Sequence, residues 1–202
     1  MTQRRTFLWA TALAAGAGVA ALAGCSNDKP SFVSIDVTGA DYAKDFELTD
    51  HNGKLRHLAD FSGKVVVMFF GYTQCPDVCP TSMSELAAVK KALGADGERL
   101  QGLFVTVDPQ RDTPEVLKAY MENFDPSFLA LSTTPEKLAA LAQHYKIYYK
   151  KVPGKTETSY TMDHSAGSYV YDPRGRLRLF TRYGSGAEAL AADIRILLKE
   201  PT

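Results

Sequence analysis

A continuous apolar segment followed at once by two cysteines constrains the fold more than any other feature of the chain. Residues 64–70 form a short β-branched and aromatic run, which is typical of a strand buried on both faces of a sheet. The residues that follow are Gly71-Tyr72-Thr73-Gln74-Cys75-Pro76-Asp77-Val78-Cys79-Pro80. An apolar stripe at helical spacing then runs as far as Gly94. The pattern predicts a buried strand, a turn that carries cysteines and a helix in direct succession.

The remaining pattern predicts further strands and helices around this unit. Apolar and polar residues alternate on both sides of Asn52-Gly53, a dipeptide typical of tight hairpin turns. Thr113-Pro114 and Thr134-Pro135 place a capping hydroxyl and a proline where helices begin. Further strands are expected at residues 100–107, 147–151, 167–171 and 177–181, and a final helix at residues 187–199. These elements predict the α/β class, with a central mixed β-sheet flanked by helices and an N-terminal β-hairpin.

The N-terminal residues have the pattern of an export signal. Arg4 and Arg5 precede an apolar stretch at residues 7–22, and residues 22–25 read Leu-Ala-Gly-Cys. This ending resembles a bacterial lipobox, which implies cleavage before Cys25 and acylation of its thiol. The apolar stretch is short for a membrane span, which needs about 20 residues, although an uncleaved anchor remains the alternative.

We expect the chain to have three parts, the first of which is removed by cleavage before Cys25. These are a lipoprotein signal peptide at residues 1–24, a lipidated tether at 25–40 and a folded domain at 41–202. The Arg4-Arg5 pair also resembles a twin-arginine signal, so two export routes stay open, as does the choice of inner or outer membrane. We expect a membrane-anchored lipoprotein of the bacterial cell envelope that faces the periplasm or another extracytoplasmic space.

Charge and cysteine content reduce the number of functional classes that fit the chain. The chain has 23 basic and 23 acidic residues, so it offers no excess of positive charge for nucleic acid. It has three cysteines, and acylation of Cys25 would leave two, too few for the disulfide framework of a small secreted domain. Cys75 and Cys79 are therefore expected to form a redox pair, a metal site, or both.

Cys75, Cys79 and His164 are the candidate metal ligands, because the other histidines (His51, His57 and His144) lie in ordinary polar contexts. Residues four apart on a helix have Cβ atoms about 5–6 Å apart, whereas a disulfide needs about 3.5–4.5 Å. Two cysteines at this spacing on a helix are therefore better placed to bind one metal ion between their sulfurs than to form a disulfide. Pro76 disfavours helical angles at Cys75, and an unwound first turn would still permit a disulfide. The helix N-terminus is also expected to lower the pKa of both thiols.

Two thiolates and one imidazole favour copper over zinc. Structural zinc usually takes four protein ligands, whereas soft thiolates suit Cu(I), and copper heads the affinity order of divalent metals. Both Cu(I) and Cu(II) remain open as the functional state. Asp163 is a candidate partner that orients the imidazole, although a neighbour in sequence can also point away. Met162 is expected in the core rather than at the metal.

Several motifs, in order along the chain, resemble the Sco/SenC family of thioredoxin-fold copper proteins. They span residues 46–198 and comprise Gly63-Lys64, Phe70-Gly71-Tyr72-Thr73, Cys75-Pro76-Asp77-Val78-Cys79-Pro80, Val107-Asp108-Pro109-Gln110-Arg111-Asp112-Thr113-Pro114 and Asp163-His164-Ser165. The resemblance implies a thioredoxin-like fold in which Cys75, Cys79 and His164 hold copper. His164 stands where thioredoxin-like oxidoreductases carry a cis-proline that faces the active cysteines, which places it opposite the cysteine pair.

The same resemblance implies a membrane-tethered copper chaperone that delivers one copper to the binuclear copper centre of cytochrome c oxidase. Expected partners are the copper-accepting subunit of a respiratory oxidase and either another periplasmic copper carrier or a thioredoxin-like reductant. The alternative is a thiol-disulfide oxidoreductase in which Cys75 and Cys79 reduce the copper-ligand cysteines of the target, with peroxidase action as a third hypothesis. Copper delivery requires His164, whereas disulfide exchange tolerates its loss.

Two charged segments have both a structural and a functional interpretation. Residues 108–112 are expected to form a turn in which Arg111 pairs with a carboxylate and Asp112 or Thr113 starts a helix; alternatively they form a docking surface beside the site. Residues 145–151 contain three tyrosines among three lysines and are expected to form an amphipathic edge strand, or else a docking face.

Overall fold

The computed structural model describes residues 30–156 and 159–200. The chain divides into two compact units, Met1–Ser31 and Phe32–Thr202, and every element named below belongs to the second. The predicted signal peptide and Cys25, the predicted acylation site, lie outside the described residues, as does the start of the predicted tether. Among the described residues, no helix combines the length and apolarity that a membrane crossing requires.

Ten strands and four α-helices are present in the described part of the chain. The strands are β1 (Ile35–Asp36), β2 (Leu48–Asp50), β3 (Leu55–Arg56), β4 (Val65–Gly71), β5 (Leu100–Thr106), β6 (Leu129–Ser132), β7 (Tyr149–Pro153), β8 (Tyr160–His164), β9 (Gly167–Tyr171) and β10 (Leu177–Arg182). The helices are α1 (Val78–Ala92), α2 (Pro114–Met121), α3 (Pro135–Tyr145) and α4 (Ala187–Lys199).

Eight of the strands form one mixed sheet in the order β1-β10-β9-β4-β5-β6-β2-β3. β4 lies in its interior, parallel to β5 and antiparallel to β9. Every residue of β4 and β5 is buried, as expected for strands covered on both faces. α1 and α4 contact each other, and α4 also contacts β4. The predicted central mixed sheet flanked by helices is therefore confirmed.

Local signals located most helix and turn boundaries correctly. The Oγ1 atom of Thr113 accepts a hydrogen bond from the amide of Val116 at 3.4 Å, so α2 begins at Pro114 as predicted. Thr134 caps α3 in the same way. β2 and β3 form the expected hairpin around Gly53, whose φ of 81° is left-handed. This hairpin joins the large sheet through β6.

Three strands were not predicted: β1, β6 and β8. β1 is only Ile35–Asp36, and it pairs with β10 within the stretch predicted to be a tether. β6 is only four residues long, which is too short for a clear pattern of apolar and polar residues. β8 pairs with β7 in a separate two-stranded sheet. Within the described residues β7 therefore lies outside the large sheet, and three of its five residues are exposed.

Candidate metal centre

The two cysteines lie in the turn between β4 and α1, at one end of the large sheet. Cys79 is in the first turn of α1 and is fully buried, whereas Cys75 precedes the helix and is half-buried. The amide of Cys79 donates a hydrogen bond to the sulfur of Cys75 at 3.4 Å. That amide belongs to the first turn, where helical amides have no carbonyl partner. The contact orients Cys75 Sγ toward the helix N-terminus.

Gly71, the last residue of β4, makes room for the buried sulfur. A Cβ atom at this position would lie 2.8 Å from Cys79 Sγ and 2.8 Å from the ring of Phe69. Such separations are shorter than van der Waals contact, so a larger residue would displace the thiol or the ring. The glycine of the predicted motif thus has a steric role beside Cys79.

His164 approaches the cysteines from β8. Its Nε2 atom lies 3.3 Å from Cys79 Sγ, and its Nδ1 atom lies 3.0 Å from the carbonyl oxygen of Ser165. A carbonyl only accepts, so this hydrogen bond requires the proton on Nδ1 and leaves the Nε2 lone pair free to face the sulfur. The rings of Phe69 and Tyr72 meet the imidazole edge-on, each with centroids 5.9 Å apart.

Asp163 does not occupy the position of an orienting partner. Side chains alternate along β8, so Asp163 is exposed while His164 and Met162 face the other way. The carbonyl of Ser165 takes the place that we predicted for the carboxylate. Met162 is buried in the apolar core, in accordance with its predicted packing role.

The three predicted ligands converge in space. Cys75 Sγ, Cys79 Sγ and an imidazole nitrogen of His164 all lie within 4.8 Å of one another. Within residues 30–156 and 159–200, no other group of three or more histidine, cysteine or acidic side chains meets that geometry. Two sulfurs and one imidazole form a soft donor set suited to Cu(I) or zinc rather than to Mg²⁺ or Ca²⁺. The site therefore has the chemistry of a small thiolate metal centre.

Burial shifts the titration of both inner ligands. It raises the pKa of the Cys79 thiol far above its ordinary value, and the neighbouring Cys75 adds to the effect. The lowered pKa expected from the helix N-terminus is therefore wrong for Cys79, because loss of hydration outweighs the backbone hydrogen bond at Tyr72, which lowers the pKa. Burial lowers the pKa of His164, although Ser165 and Asp163 oppose the shift. The imidazole is then neutral at pH 7, the form that binds metals.

Asp112 supports the turn that carries the cysteines, a role that the sequence did not indicate. Instead of starting α2, its buried carboxylate accepts hydrogen bonds from the amide and hydroxyl of Thr73, at 3.1 and 2.6 Å. The hydroxyl of Thr106 donates to it as well, at 2.5 Å. These bonds secure the backbone two residues before Cys75. In the sequence, only the position of Asp112 after β5 could have pointed to this role, because β4 and β5 are parallel and end at the same edge of the sheet.

The predicted pairing of Arg111 is confirmed. Its Nε donates to Asp108 Oδ2 at 2.5 Å, and both side chains are largely buried.

Cys25 lies outside the described residues, so its lipidation stays a prediction.

Comparison with known proteins agrees with this site. The SCO1/SenC family model matches residues 36–199. The SCO2 homolog of Bos taurus mitochondria is 40% identical over 147 residues, which cover 72% of this chain and 54% of that protein. The chain spans between half and two thirds of the length of such relatives.

Solved structures match most of the chain. The structure of Bradyrhizobium japonicum ScoI with copper bound has a TM-score of 0.69 and 42% identity, covering 76% of this chain and 97% of that one. The solution structure of apo Sco1 from Thermus thermophilus has a TM-score of 0.73 and 36% identity, covering 83% and 97%. The protein described above, with its thioredoxin-like α/β fold, is a member of the SCO1/SenC family.

Proposed function

We propose that the protein is a membrane-tethered copper chaperone for cytochrome c oxidase assembly. It binds one copper through the Cys75 and Cys79 thiolates and the imidazole of His164. It then delivers the metal to the binuclear copper centre of the oxidase. The observation that carries the proposal is the convergence of the three ligand atoms within 4.8 Å.

The donor chemistry supports copper as the cargo. Two thiolates and an imidazole suit Cu(I), and both oxidation states are compatible with a sulfur and nitrogen ligand set. The Bradyrhizobium japonicum ScoI structure, which is 42% identical to this chain, is described with copper bound. The Nδ1 contact of His164 with the Ser165 carbonyl holds Nε2 toward the sulfurs, as second partners of metal-bound histidines usually do.

Unequal burial of the ligands supports delivery rather than permanent storage. Cys79 is fully buried, whereas Cys75 and His164 are partly open to solvent. Ligands of an acceptor protein can therefore approach the metal from the side of Cys75 and His164. Three protein donors also leave room for an incoming ligand, so the metal can move by stepwise ligand exchange with the copper-accepting subunit of a respiratory oxidase.

The lipid anchor completes the proposal and rests on sequence alone. Residues 22–25 and the preceding apolar stretch favour acylation of Cys25. This would hold residues 41–202 at the surface of a bacterial membrane, facing the periplasm or extracytoplasmic space. A periplasmic copper carrier or a thioredoxin-like reductant would then load the site or keep it reduced.

A thiol-disulfide oxidoreductase is the second candidate function. Both described cysteines are free thiols, and their sulfurs lie within 4.8 Å of each other. Modest unwinding at Cys75 would allow Cys75 and Cys79 to form a disulfide. The two electrons released by this oxidation would reduce a disulfide between the copper-ligand cysteines of the target. In that reaction two thiols are oxidised and the disulfide of the target is reduced to two thiols.

Anaerobic copper titration of the full chain distinguishes the two functions. We expect the wild-type protein to bind one copper tightly. Cys75→Ala, Cys79→Ala and His164→Ala should each weaken binding by more than the roughly 10–100-fold that loss of an outer partner costs. His144→Ala serves as the control and should leave the affinity unchanged, because His144 does not belong to the ligand group.

Target maturation supplies the second readout. If His164→Ala retains tight copper binding, the three-ligand site is wrong. If instead it loses copper but still matures the oxidase at the wild-type rate, thiol-disulfide exchange becomes the function.

A further inference from the structure

Arg111, in the loop between β5 and α2, contacts both halves of the metal centre. Its Nη1 atom donates to the side-chain oxygen of Gln74 at 3.0 Å and to the backbone carbonyl of Tyr160 at 2.9 Å. Gln74 immediately precedes Cys75, and Tyr160 is the first residue of β8, the strand that ends at His164. One guanidinium therefore joins the cysteine turn to the strand that carries the histidine.

The β7–β8 hairpin lies outside the large sheet. β7 and β8 form a sheet of their own, and within the described residues no strand ladder links them to the eight-stranded sheet. The cysteines, by contrast, lie between β4 and α1, which belong to the core. His164, at the end of β8, is joined to β9 of the large sheet by only two residues, and the carbonyl of Ala166 accepts a hydrogen bond from the amide of Tyr183 at 3.1 Å. The backbone therefore ties this end of β8 to the large sheet, and the contacts of Arg111 hold the other end, at Tyr160.

The chemistry of these contacts requires arginine. The guanidinium carbon lies 3.5 Å from the centroid of the Tyr160 ring and 5.8 Å from that of Tyr72. A planar guanidinium stacks on an aromatic ring and donates from its edge at the same time, whereas the ammonium of lysine is a single point donor. Lysine could keep the charge pairing with Asp108 but could not reproduce the stacked, two-armed geometry.

Asp108 holds the guanidinium in this orientation. Its Oδ2 atom accepts from Arg111 Nε at 2.5 Å, and its Oδ1 atom accepts from the Tyr160 hydroxyl at 2.9 Å. The three side chains thus form a closed ring of contacts. Among the described residues the Nη2 atom of Arg111 is buried without a hydrogen-bond partner. Leaving a buried donor unpaired costs free energy, so the arrangement does not maximise hydrogen bonding of the arginine itself.

We propose that Arg111 is a positioning residue that sets the distance between His164 and the two cysteines. It acts through Gln74 on the cysteine turn and through Tyr160 on the hairpin. The effect on copper rests on the proposed function, whereas the effect on the geometry of the apoprotein does not.

Arg111→Lys tests the proposal in the full chain with two readouts. The first is the set of nuclear Overhauser contacts in the copper-free protein between the His164 ring and the rings of Phe69 and Tyr72. We expect these contacts to weaken, while the contact between Phe70 and Tyr145, whose centroids are 5.1 Å apart, stays. The second is Cu(I) affinity, which should fall about 10–100-fold, the usual cost of losing an outer partner of a metal ligand.

Two further variants separate positioning from a general loss of stability. Gln74→Ala removes only the arm toward Cys75 and leaves the Arg111–Asp108 ion pair intact, so it tests the proposal if Arg111→Lys fails to fold. Arg176→Lys makes the same substitution in another arginine paired with an aspartate, Asp172, at the opposite end of β9 from His164. It should change neither readout.

The outcomes are distinct. Loss of the His164 contacts together with the weaker affinity supports the proposal. Unchanged His164 contacts in Arg111→Lys, or an affinity within twofold of wild type, would overturn it while leaving the copper site in place. If the wild-type protein binds no copper but the His164 contacts still depend on Arg111, the positioning role stands and the proposed function fails.

Discussion

Cys79 shows how far single side chains control the centre. Its sulfur is enclosed between Gly71, the ring of Phe69 and the imidazole of His164. Burial of that thiol raises its pKa, so forming the thiolate needs a compensating positive charge such as a bound metal ion. Cys79 is therefore suited to bind a metal cation and poorly suited to act as the nucleophilic thiolate in thiol-disulfide exchange. Cys75, which is half-buried, has the more accessible sulfur for exchange chemistry.

Gly71→Ala should damage both stability and the metal site. The added methyl would lie 2.8 Å from Cys79 Sγ, and overpacking of this kind costs about 1–3 kcal/mol. We expect the free energy of unfolding to fall by about that amount, together with weaker copper binding, in denaturant titrations and copper competition assays. Gly102→Ala in β5 is the matched control, because its methyl would meet Phe128 at 2.7 Å, away from the ligands. Equal loss of copper affinity in both variants would contradict the specific role of Gly71.

Two hairpin turns are stabilised in the same way: a buried aspartate at the start of the turn accepts hydrogen bonds from backbone amides of the turn. Asp50 accepts from the amides of Asn52 and Lys54 at 2.9 and 3.0 Å, and Asp172 accepts from the amides of Arg174 and Arg176 at 3.0 Å each. Each carboxylate also pairs with an arginine. These turns fix the β2–β3 and β9–β10 hairpins at their tips.

Asp172 should make stability depend on pH. Burial opposes its ionisation, but hydrogen bonds from Arg176 and Arg174 outweigh burial and hold the pKa of the carboxyl below its ordinary value of 3.8. Its contribution is therefore fully present above pH 3.8 and is lost as the pH falls through the folded-state pKa. We expect Asp172→Asn to cost about 1–3 kcal/mol at pH 7 and to flatten the decline of unfolding free energy below pH 4.

Urea titrations between pH 2.5 and 7 would measure this effect. Asp112 acts in the opposite direction, because burial raises the pKa of its carboxyl and its ionisation at higher pH opposes folding. Asp112→Asn is therefore a useful control that should not remove the acid destabilisation. The assignment to Asp172 fails if the Asp172→Asn variant keeps the wild-type acid slope.

The metal ligands belong to parts of the molecule that are far apart in sequence. Cys75 and Cys79 flank the start of α1, and His164 lies 85 residues after Cys79 at the end of a separate hairpin. A metal bound to all three would link the hairpin to the core of the large sheet. Binding to the native state alone then stabilises the whole fold by mass action.

Copper removal should therefore lower global stability. With free copper at about 1,000 times the dissociation constant, the bound protein should be about 4 kcal/mol more stable than the apoprotein. Thermal unfolding with and without a Cu(I) chelator would measure the difference. Cys79→Ala should show no such dependence on the chelator. Equal unfolding temperatures of the copper-loaded and copper-free wild-type protein would argue against a site formed only by the native state.

Local sequence signals predicted the elements that depend on neighbours in the chain. The apolar run of β4 requires burial on both faces, and threonine followed by proline located the starts of α2 and α3. The cysteine motif and His164 were also identified as a group, because the chain contains few other soft ligands. β6 and β8 were missed, since short strands are defined by their partners rather than by their own pattern.

The α/β class, the order of the main elements and the identity of the candidate ligands follow from the amino-acid sequence, because periodicity, capping and residue chemistry are local properties. The surroundings of those ligands depend on long-range packing. Long-range packing buried Cys79 and reversed the expected shift of its pKa. Strand alternation turned Asp163 outward, and the Ser165 carbonyl became the partner of His164. Asp112 and Arg111 became supports of the site because residues distant in sequence meet at one end of the sheet.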